Sequence, residues 1–384
     1  MEHVLKRPDT YIGSVERQDM EMWVWDADKE AGSSVVGKMA HRLTSFVPGL
    51  YKIFDEILVN AADNRQRDKN MDAIRVRIDQ KSGEIEVWNN GMGIPVEIHR
   101  KEKMYIPELI FGHLLTGSNY SDNDKKVVGG RNGFGAKLAN IFSTFFELET
   151  ADGKHTYYQR WHDNMGKVDP AVIKESTEQF TRVKFHPDYR LFKMEHLEDD
   201  ILALMRKRVF DIAGCNGEIG VRVFLDGRRV PVKSFKEYVE LYLAQAKTED
   251  SDDAAVKEEG DGDDDDSMED GAGDEDYKDP ATARKKKGAK KADSGGLSGG
   301  GKLVPYVIEK NERWQVVVAV SDGQFDQVSF VNSICTMRGG THVNAVADMI
   351  SGELLEAANK KVKKEGMQIK PFQIKNYLWL FVNS

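Results

Sequence analysis

Phe54-Asp55-Glu56-Ile57-Leu58-Val59-Asn60-Ala61-Ala62-Asp63-Asn64 carries two patterns at once. Phe54, Ile57, Leu58 and Ala61 recur at helical spacing and supply an apolar side, which predicts a helix over Leu50–Arg65. Glu56, Asn60 and Asn64 follow at i, i+4 and i+8, each turned by about 40° from the last, so they project along one face. A carboxylate and an amide oxygen one turn apart divide two tasks. Glu56 can take a proton from water, and Asn60 can hold Mg²⁺ as a neutral oxygen ligand. Standing alone, Glu and Asn at this spacing are more often a solvated helix face.

Two later stretches bear on the same chemistry. Ile74–Ile78 and Ile85–Trp88 alternate apolar and polar residues, as half-buried strands do. The second runs into Asn89-Asn90-Gly91-Met92-Gly93-Ile94-Pro95. Two glycines one residue apart permit a tight turn and close approach of backbone to a flat ligand. Asn89 offers the donor and acceptor that match the amine and ring nitrogen of adenine. Further on, Gly129-Gly130-Arg131-Asn132-Gly133-Phe134-Gly135-Ala136-Lys137-Leu138-Ala139-Asn140 is a glycine-rich loop opening an apolar helix. Its unpaired amides and the positive end of the helix dipole suit phosphate, and Lys137 adds charge. The spacing is not that of a P-loop, because Ala136 precedes the lysine and no Ser or Thr follows it. A dinucleotide fingerprint fits poorly too, since no strand leads directly into the loop.

Strand patterns continue at Phe145–Glu149, Thr156–Trp161, Thr181–Phe185, Gly220–Leu225, Val304–Ile308, Trp314–Val320, Gln327–Phe330 and Tyr377–Val382. Helix patterns fall at Ile106–Thr116, Gly135–Ser143, Leu197–Ala213, Phe235–Ala244 and Val343–Lys364. Strands interspersed with helices and tight turns predict an α+β chain with a mixed sheet covered by helices. At 384 residues two domains are expected. Residues 246–301 combine an acidic run, Asp263–Asp266, a basic block, Arg284–Lys291, and a glycine-rich end. They offer too little apolar surface to offset chain entropy, which predicts a disordered linker.

The net charge of −9 belongs largely to that linker; without its acidic stretch the rest is close to neutral or slightly basic. No apolar run nears the roughly 20 residues needed to cross a bilayer, so no membrane partner is expected. Cys215 and Cys335 match no metal or redox spacing, which points to a reducing compartment, cytosol or nucleus. Arg284–Lys291 has the composition of a nuclear localisation signal.

The Glu/Asn helix, the strand ending in Asn-Asn-Gly-x-Gly and the glycine loop, in that order, resemble the ATPase superfamily shared by gyrase, heat-shock chaperones, histidine kinases and mismatch-repair proteins (GHKL). Longer strings are more specific: Leu5–Ser14, Phe46–Asn64, Gly129–Asn140, Phe330–Ile334 and Lys370–Asn376 resemble the N-terminal region of eukaryotic-type DNA topoisomerase II. The resemblance covers nearly the whole chain apart from the linker. It implies a GHKL-type ATP-binding domain over residues 1–230, a mixed sheet with helices on one face. A transducer domain of ribosomal-protein-S5-like α/β form would follow over 231–384, interrupted by 246–301.

By the same resemblance Glu56 is the general base and Asn60 the Mg²⁺ ligand. The ATP-binding set is Asn60, Asn64, Asn89, Gly117, Ser118, Asn119, Gly130, Arg131, Asn132, Gly133, Phe134, Gly135, Ala136 and Lys137. ATP and Mg²⁺ are the expected cofactors. The expected partners are a second copy of the chain and double-stranded DNA held through its backbone, in the nucleus. Lys360, Lys361, Lys363 and Lys364, with Arg338 nearby, are the candidate DNA contacts, although such a run also suits a solvated helix end. The family usually has Ser where this chain has Gly117, and often Tyr in place of Phe134. The family's Gln-Thr-Lys loop would lie beyond Ser384, so a fragment is expected. The implied function is an ATP-driven gate that captures a DNA duplex. A non-catalytic nucleotide sensor, or a chaperone or mismatch-repair relative, stands as the alternative.

Overall fold

A computed structural model describes residues 2–113, 135–244, 304–362 and 368–384. The expected linker 246–301 lies outside them. In chain order come α1 (Glu2–Lys6), a ribbon of β1 (Gln18–Ala27) and β2 (Gly37–Phe46), α2 (Pro48–Arg67), β3 (Ala73–Asp79) and β4 (Glu84–Asn90). Then follow α3 (Ile106–Gly112), α4 (Gly135–Ile141), β5 (Ser143–Asp152), β6 (His155–His162), β7 (Lys167–Val168), β8 (Val172–Glu175) and β9 (Gln179–Pro187). Next are α5 (Asp199–Asn216), β10 (Arg222–Leu225), β11 (Arg228–Arg229) and α6 (Phe235–Leu243). The remaining strands are β12 (Tyr306–Lys310), β13 (Gln315–Val320), β14 (Asp326–Val331), β15 (Ile334–Cys335) and β16 (Leu378–Asn383). A long helix, Thr341–Val362, and a short one, Pro371–Lys375, lie between β15 and β16.

The first sheet has nine strands in the order β11-β10-β3-β4-β9-β5-β6-β7, with β8 also on β6. Among the described strands of this sheet only β10 and β3 pair in parallel, so the sheet is mixed, as expected. On β4 the inward residues Ile85, Val87 and Asn89 are buried, and α2 packs over this strand. Leu50, Ile53, Phe54, Ile57, Leu58 and Ala61 of α2 are buried there, each large side chain contributing about 1.5–3 kcal/mol. Pro48 starts α2, its fixed φ suiting a first turn that needs no amide donor there. The second sheet runs β12-β13-β16-β14-β15. Its β14 and β16 are parallel neighbours, joined through the long helix in a crossover.

β1 and α6 help to hold the sheets together. Trp23 and Trp25, on one side of β1, reach in different directions. The ring of Trp25 stacks 3.9 Å from that of Phe210 on α5, and Trp23 stacks 5.8 Å from Trp379 on β16. α6 is opened by Ser234, whose Oγ accepts from Glu237 N at 3.1 Å while Glu237 accepts from Lys233 N. One continuous apolar cluster then runs from Phe54 and Ile74 through Phe210, Tyr238 and Phe330 to Phe381.

Several elements differ from the sequence reading. The β1–β2 ribbon carries no strand expectation, because the first four residues of β1 are all exposed and only its end packs on α5. α4 stops at Ile141, not Ser143: Ser143 Oγ donates to Ala139 O at 2.6 Å, satisfying a terminal carbonyl, and Ser143 begins β5. α3 ends at Gly112, and His113 is already extended. The long helix starts two residues earlier than expected and is described to Val362.

Candidate active site

α2 sets Glu56, Asn60 and Asn64 along its edge facing away from the core, as their spacing predicts. Glu56 is half-buried and ion-paired with Lys52, one turn back on the same helix. Asn60 is exposed. Asn64 Nδ2 donates to the carbonyl of Met92 at 3.3 Å, so the third residue of the row braces the glycine turn after β4.

That turn is held from three sides. Met92 N donates to Asp68 Oδ2 at 2.7 Å, just past the end of α2. Ile94 N donates to Thr150 Oγ1 at 2.9 Å, and Val96 N to Asp152 Oδ2 at 2.9 Å, both from β5. Gly91 takes a φ of +91°. Gly93 lies so close to the sheet that a Cβ would stand 2.0 Å from the carbonyl oxygen of Ala151. Only glycine permits that approach.

Beneath the turn lies a row of polar side chains. Asn89 on β4 pairs with Thr181 on β9, and Thr181 with Thr150 on β5, so the three share one face of the sheet. Asn89 is 4% exposed, and one of its amide hydrogens is committed to Asn90 O at 2.9 Å. Thr150 Oγ1 donates to Phe180 O at 3.0 Å and lies 3.0 Å from Thr181 Oγ1. Asn90, by contrast, is structural: its Oδ1 accepts from Asp72 N and Ala73 N at 3.0 and 2.8 Å.

The helical end of the glycine stretch closes the other side. A Cβ on Gly135 would stand 1.7 Å from Glu56 Oε2, so the start of α4 rests on the Glu56 carboxylate. Ala136 and Lys137 follow, both buried. Lys137 is 0% exposed, and burial holds its pKa below the ordinary lysine range. Asn140, also buried, donates to Phe111 O at 3.0 Å and ties α4 to α3.

The structure thus brings Glu56 into contact with Gly135 at the start of α4, keeps Asn60 and Asn64 on the same edge of α2, and sets Asn89 beneath the Gly91–Gly93 turn. Gly117, Ser118, Asn119, Gly130, Arg131, Asn132, Gly133 and Phe134 lie outside the described residues. Lys360 and Lys361 are exposed at the end of the long helix, on the second sheet; Lys363 and Lys364 lie outside the described residues. Sequence reasoning missed Lys52, Asp68 and Thr150. The first could have been found, since Lys52 and Glu56 are four apart on one helix. Thr150 gave no signal, because its role depends on strand pairing.

No group of three or more His, Cys, Asp or Glu side chains that could hold a metal occurs among the described residues. Among the described residues, Asn60 offers a neutral amide oxygen on the exposed edge of α2 to a cation. This fits Mg²⁺, which keeps several waters and takes its other ligands from substrate phosphates.

The histidine kinase-, DNA gyrase B- and HSP90-like ATPase family matches residues 47–191, and the DNA gyrase B family matches residues 235–384. DNA topoisomerase 2 of Arabidopsis thaliana is 47% identical over 389 residues, an alignment covering all of this chain and 22% of that protein. The chain therefore spans 22% of that relative's length. The ATPase region of Saccharomyces cerevisiae topoisomerase II superposes with a TM-score of 0.76 at 43% identity, over all of this chain and 83% of the other. The ATPase and transducer domains of DNA topoisomerase II from Balamuthia mandrillaris give 0.78 at 39% identity, over all of this chain and 83% of the other.

Proposed function

The chain belongs to the DNA topoisomerase 2 family, and from that premise we propose that it is the ATP-hydrolysing gate of a type II DNA topoisomerase. The observation that carries this reading is the contact between the start of α4 and the Glu56 carboxylate. A glycine-rich loop that ends on a carboxylate delivers the last phosphoryl group of a bound triphosphate to that carboxylate.

Glu56 is the general base: its carboxylate takes a proton from water as the water oxygen attacks the γ-phosphorus, and the bond to the ADP oxygen breaks. Phosphoryl transfer asks mainly for positioning and charge neutralisation, which suits a site with a single carboxylate and a cradle of amides. Lys52 fixes the carboxylate's orientation until substrate arrives. Asn60 holds Mg²⁺, which when bound neutralises charge on the phosphates. Asn64 and Asp68 hold the Gly91–Gly93 turn against the C-terminal end of α2. Asn89 has one N–H committed to Asn90, and its Oδ1 accepts from the adenine amine; guanine presents a carbonyl there, which the oxygen would repel. Gly117, Ser118, Asn119 and Gly130 to Phe134 complete the nucleotide contacts in this reading.

Residues 1–230 act as the ATPase domain and 231–384 as the transducer. Two copies close on binding ATP, capture a duplex and reopen after hydrolysis. The exposed Lys360 and Lys361, with Lys363, Lys364 and Arg338, contact DNA phosphates without reading sequence. The protein acts in the nucleus.

The test is binding and turnover together. The chain should bind ATP with Mg²⁺ in preference to GTP, release phosphate, and sediment as a dimer with a non-hydrolysable ATP analogue. A chain that binds neither nucleotide would falsify the reading.

A further inference from the structure

Asp55 stands beside Glu56 on α2 but turns into the interior, where it accepts from Arg208 Nε on α5 at 2.6 Å. Arg208 is 0% exposed, and its Nη2 donates to the carbonyl of Ser333 at 2.6 Å. Ser333 belongs to the second sheet. It forms, with Asn332, the two-residue turn between β14 and β15, and both residues take positive φ, 48° and 63°. Just over two turns along α5, Asn216 Nδ2 donates to Ser333 Oγ at 3.1 Å. The same turn is thus gripped at its carbonyl and its hydroxyl by one helix of the first sheet's layer.

The charges around this grip are balanced. Lys207 donates to Asp211 at 3.1 Å, Tyr238 OH donates to the other oxygen of Asp211 at 2.6 Å, and Arg208 Nη1 lies 3.8 Å from Asp211. Burial opposes the charge on Arg208, but Asp55, Tyr51 and Asp211 outweigh it and hold the guanidinium well above its ordinary pKa.

Joining two sheets does not call for this arrangement. Apolar side chains of similar volume stabilise an interior as well as a buried ion pair does, or better. Phe235 and Tyr238 already pack edge-on against Phe330 at this seam. What the guanidinium adds is direction: a planar fork whose ends are taken by the carboxylate next to Glu56 and by a carbonyl of the second sheet. Movement of either partner strains one of the two bonds.

We propose that Arg208 is a positioning residue for ATP hydrolysis, registering the turn of α2 that bears Glu56 against the β14–β15 turn. Occupancy of the cleft is thereby felt in the second sheet, and the seating of the second sheet aims the base. The inference rests on the reading of Glu56 as the base at bound ATP.

Arg208→Lys keeps the charge and loses the fork; Asp55→Asn keeps an acceptor and loses the charge. Hydrogen exchange over residues 330–335, with and without a non-hydrolysable ATP analogue and Mg²⁺, is measured beside steady-state hydrolysis. In the native chain the analogue should slow exchange there by about threefold or more. Arg208→Lys should bind the analogue with near-native affinity yet lose that response, with kcat down about tenfold and KM little changed. Native-like kcat together with a native-like exchange response in Arg208→Lys overturns the proposal. In the nucleotide-free protein, Asp55→Asn should speed exchange over 330–335 by about threefold or more, and unchanged exchange there sinks the link whatever the chain does with ATP. If Arg208→Lys does not fold, Asp55→Asn decides the matter alone. Failure of the native chain to bind nucleotide is a different result: it removes the site reading, and the proposal with it.

Discussion

Gly135 and Glu56 are in contact across the cleft, with no room for a methyl group between the first residue of α4 and the carboxylate. The atoms in the way are the far end of a flexible side chain, so Gly135→Ala moves Glu56 and leaves the backbone where it is. Stability should stay within about 1 kcal/mol of native, since alanine also favours helix. Phosphate release should fall by about a hundredfold, as a displaced base no longer reaches the attacking water. Thermal unfolding and a phosphate-release assay check the two halves.

Removing the base itself separates binding from turnover. Glu56→Gln should bind ATP but hydrolyse it roughly 10²- to 10⁴-fold more slowly. Asn60→Ala should instead abolish Mg²⁺-dependent binding, because it removes the amide oxygen that holds the ion in this reading. Titration with a fluorescent ATP analogue, with and without Mg²⁺, distinguishes the two. Native-like turnover in Glu56→Gln would place the base elsewhere.

Thr150→Val tests the floor of the cleft. The substitution keeps the shape but removes the acceptor for Ile94 N and the donor to Phe180 O. Loss of stability should be about 1–3 kcal/mol, the usual effect of leaving a buried polar group unsatisfied. Denaturant unfolding measures it, and nucleotide affinity should fall too, because Ile94 belongs to the turn that Asn64 braces.

Lys137 carries a pH signature whose sign is fixed by its burial. Its folded pKa is lowered from 10.5, so the unfolded chain binds the extra proton, and this group's contribution to stability rises as pH climbs from the folded value towards 10.5. Lys137→Met should lose that pH dependence, so that the native chain gains stability relative to the variant as pH rises towards 10.5, while the variant binds ATP more weakly. Unfolding at pH 7 and pH 10, compared between the two proteins, reads the difference. A stability difference that does not change between the two pH values would show that Lys137 is not held below its ordinary pKa.

Six strands of the first sheet, β3, β4, β5, β6, β9 and β10, were legible from their apolar patterns, and α2 from its apolar stripe; β7, β8 and β11, two to four residues each, were too short to leave a pattern. Ile85, Val87 and Asn89 fall on one face by simple counting, and Asn89 enters the interior with them. The β1–β2 ribbon was not legible: four of the ten residues of β1 are exposed, and its tryptophans find partners on α5 and β16, far away in sequence. The site divides in the same way. Helical spacing alone sets Glu56, Asn60 and Asn64 on one edge of α2, but Thr150 joins Asn89 only through the pairing of β9 with both β4 and β5. Nothing in local spacing told of Arg208, whose two partners come from residues 55 and 333.

The strand order of the second sheet constrains how it is assembled during synthesis. β12–β13 and β14–β15 are hairpins that meet only across β16, the last of the five to leave the ribosome. Two-stranded hairpins are marginal in water, so this sheet comes together only once β16 has been made, after the strands of the first sheet. Premature release anywhere between Ile334 and Leu378 would leave open edges on both halves, the surfaces on which nascent chains aggregate.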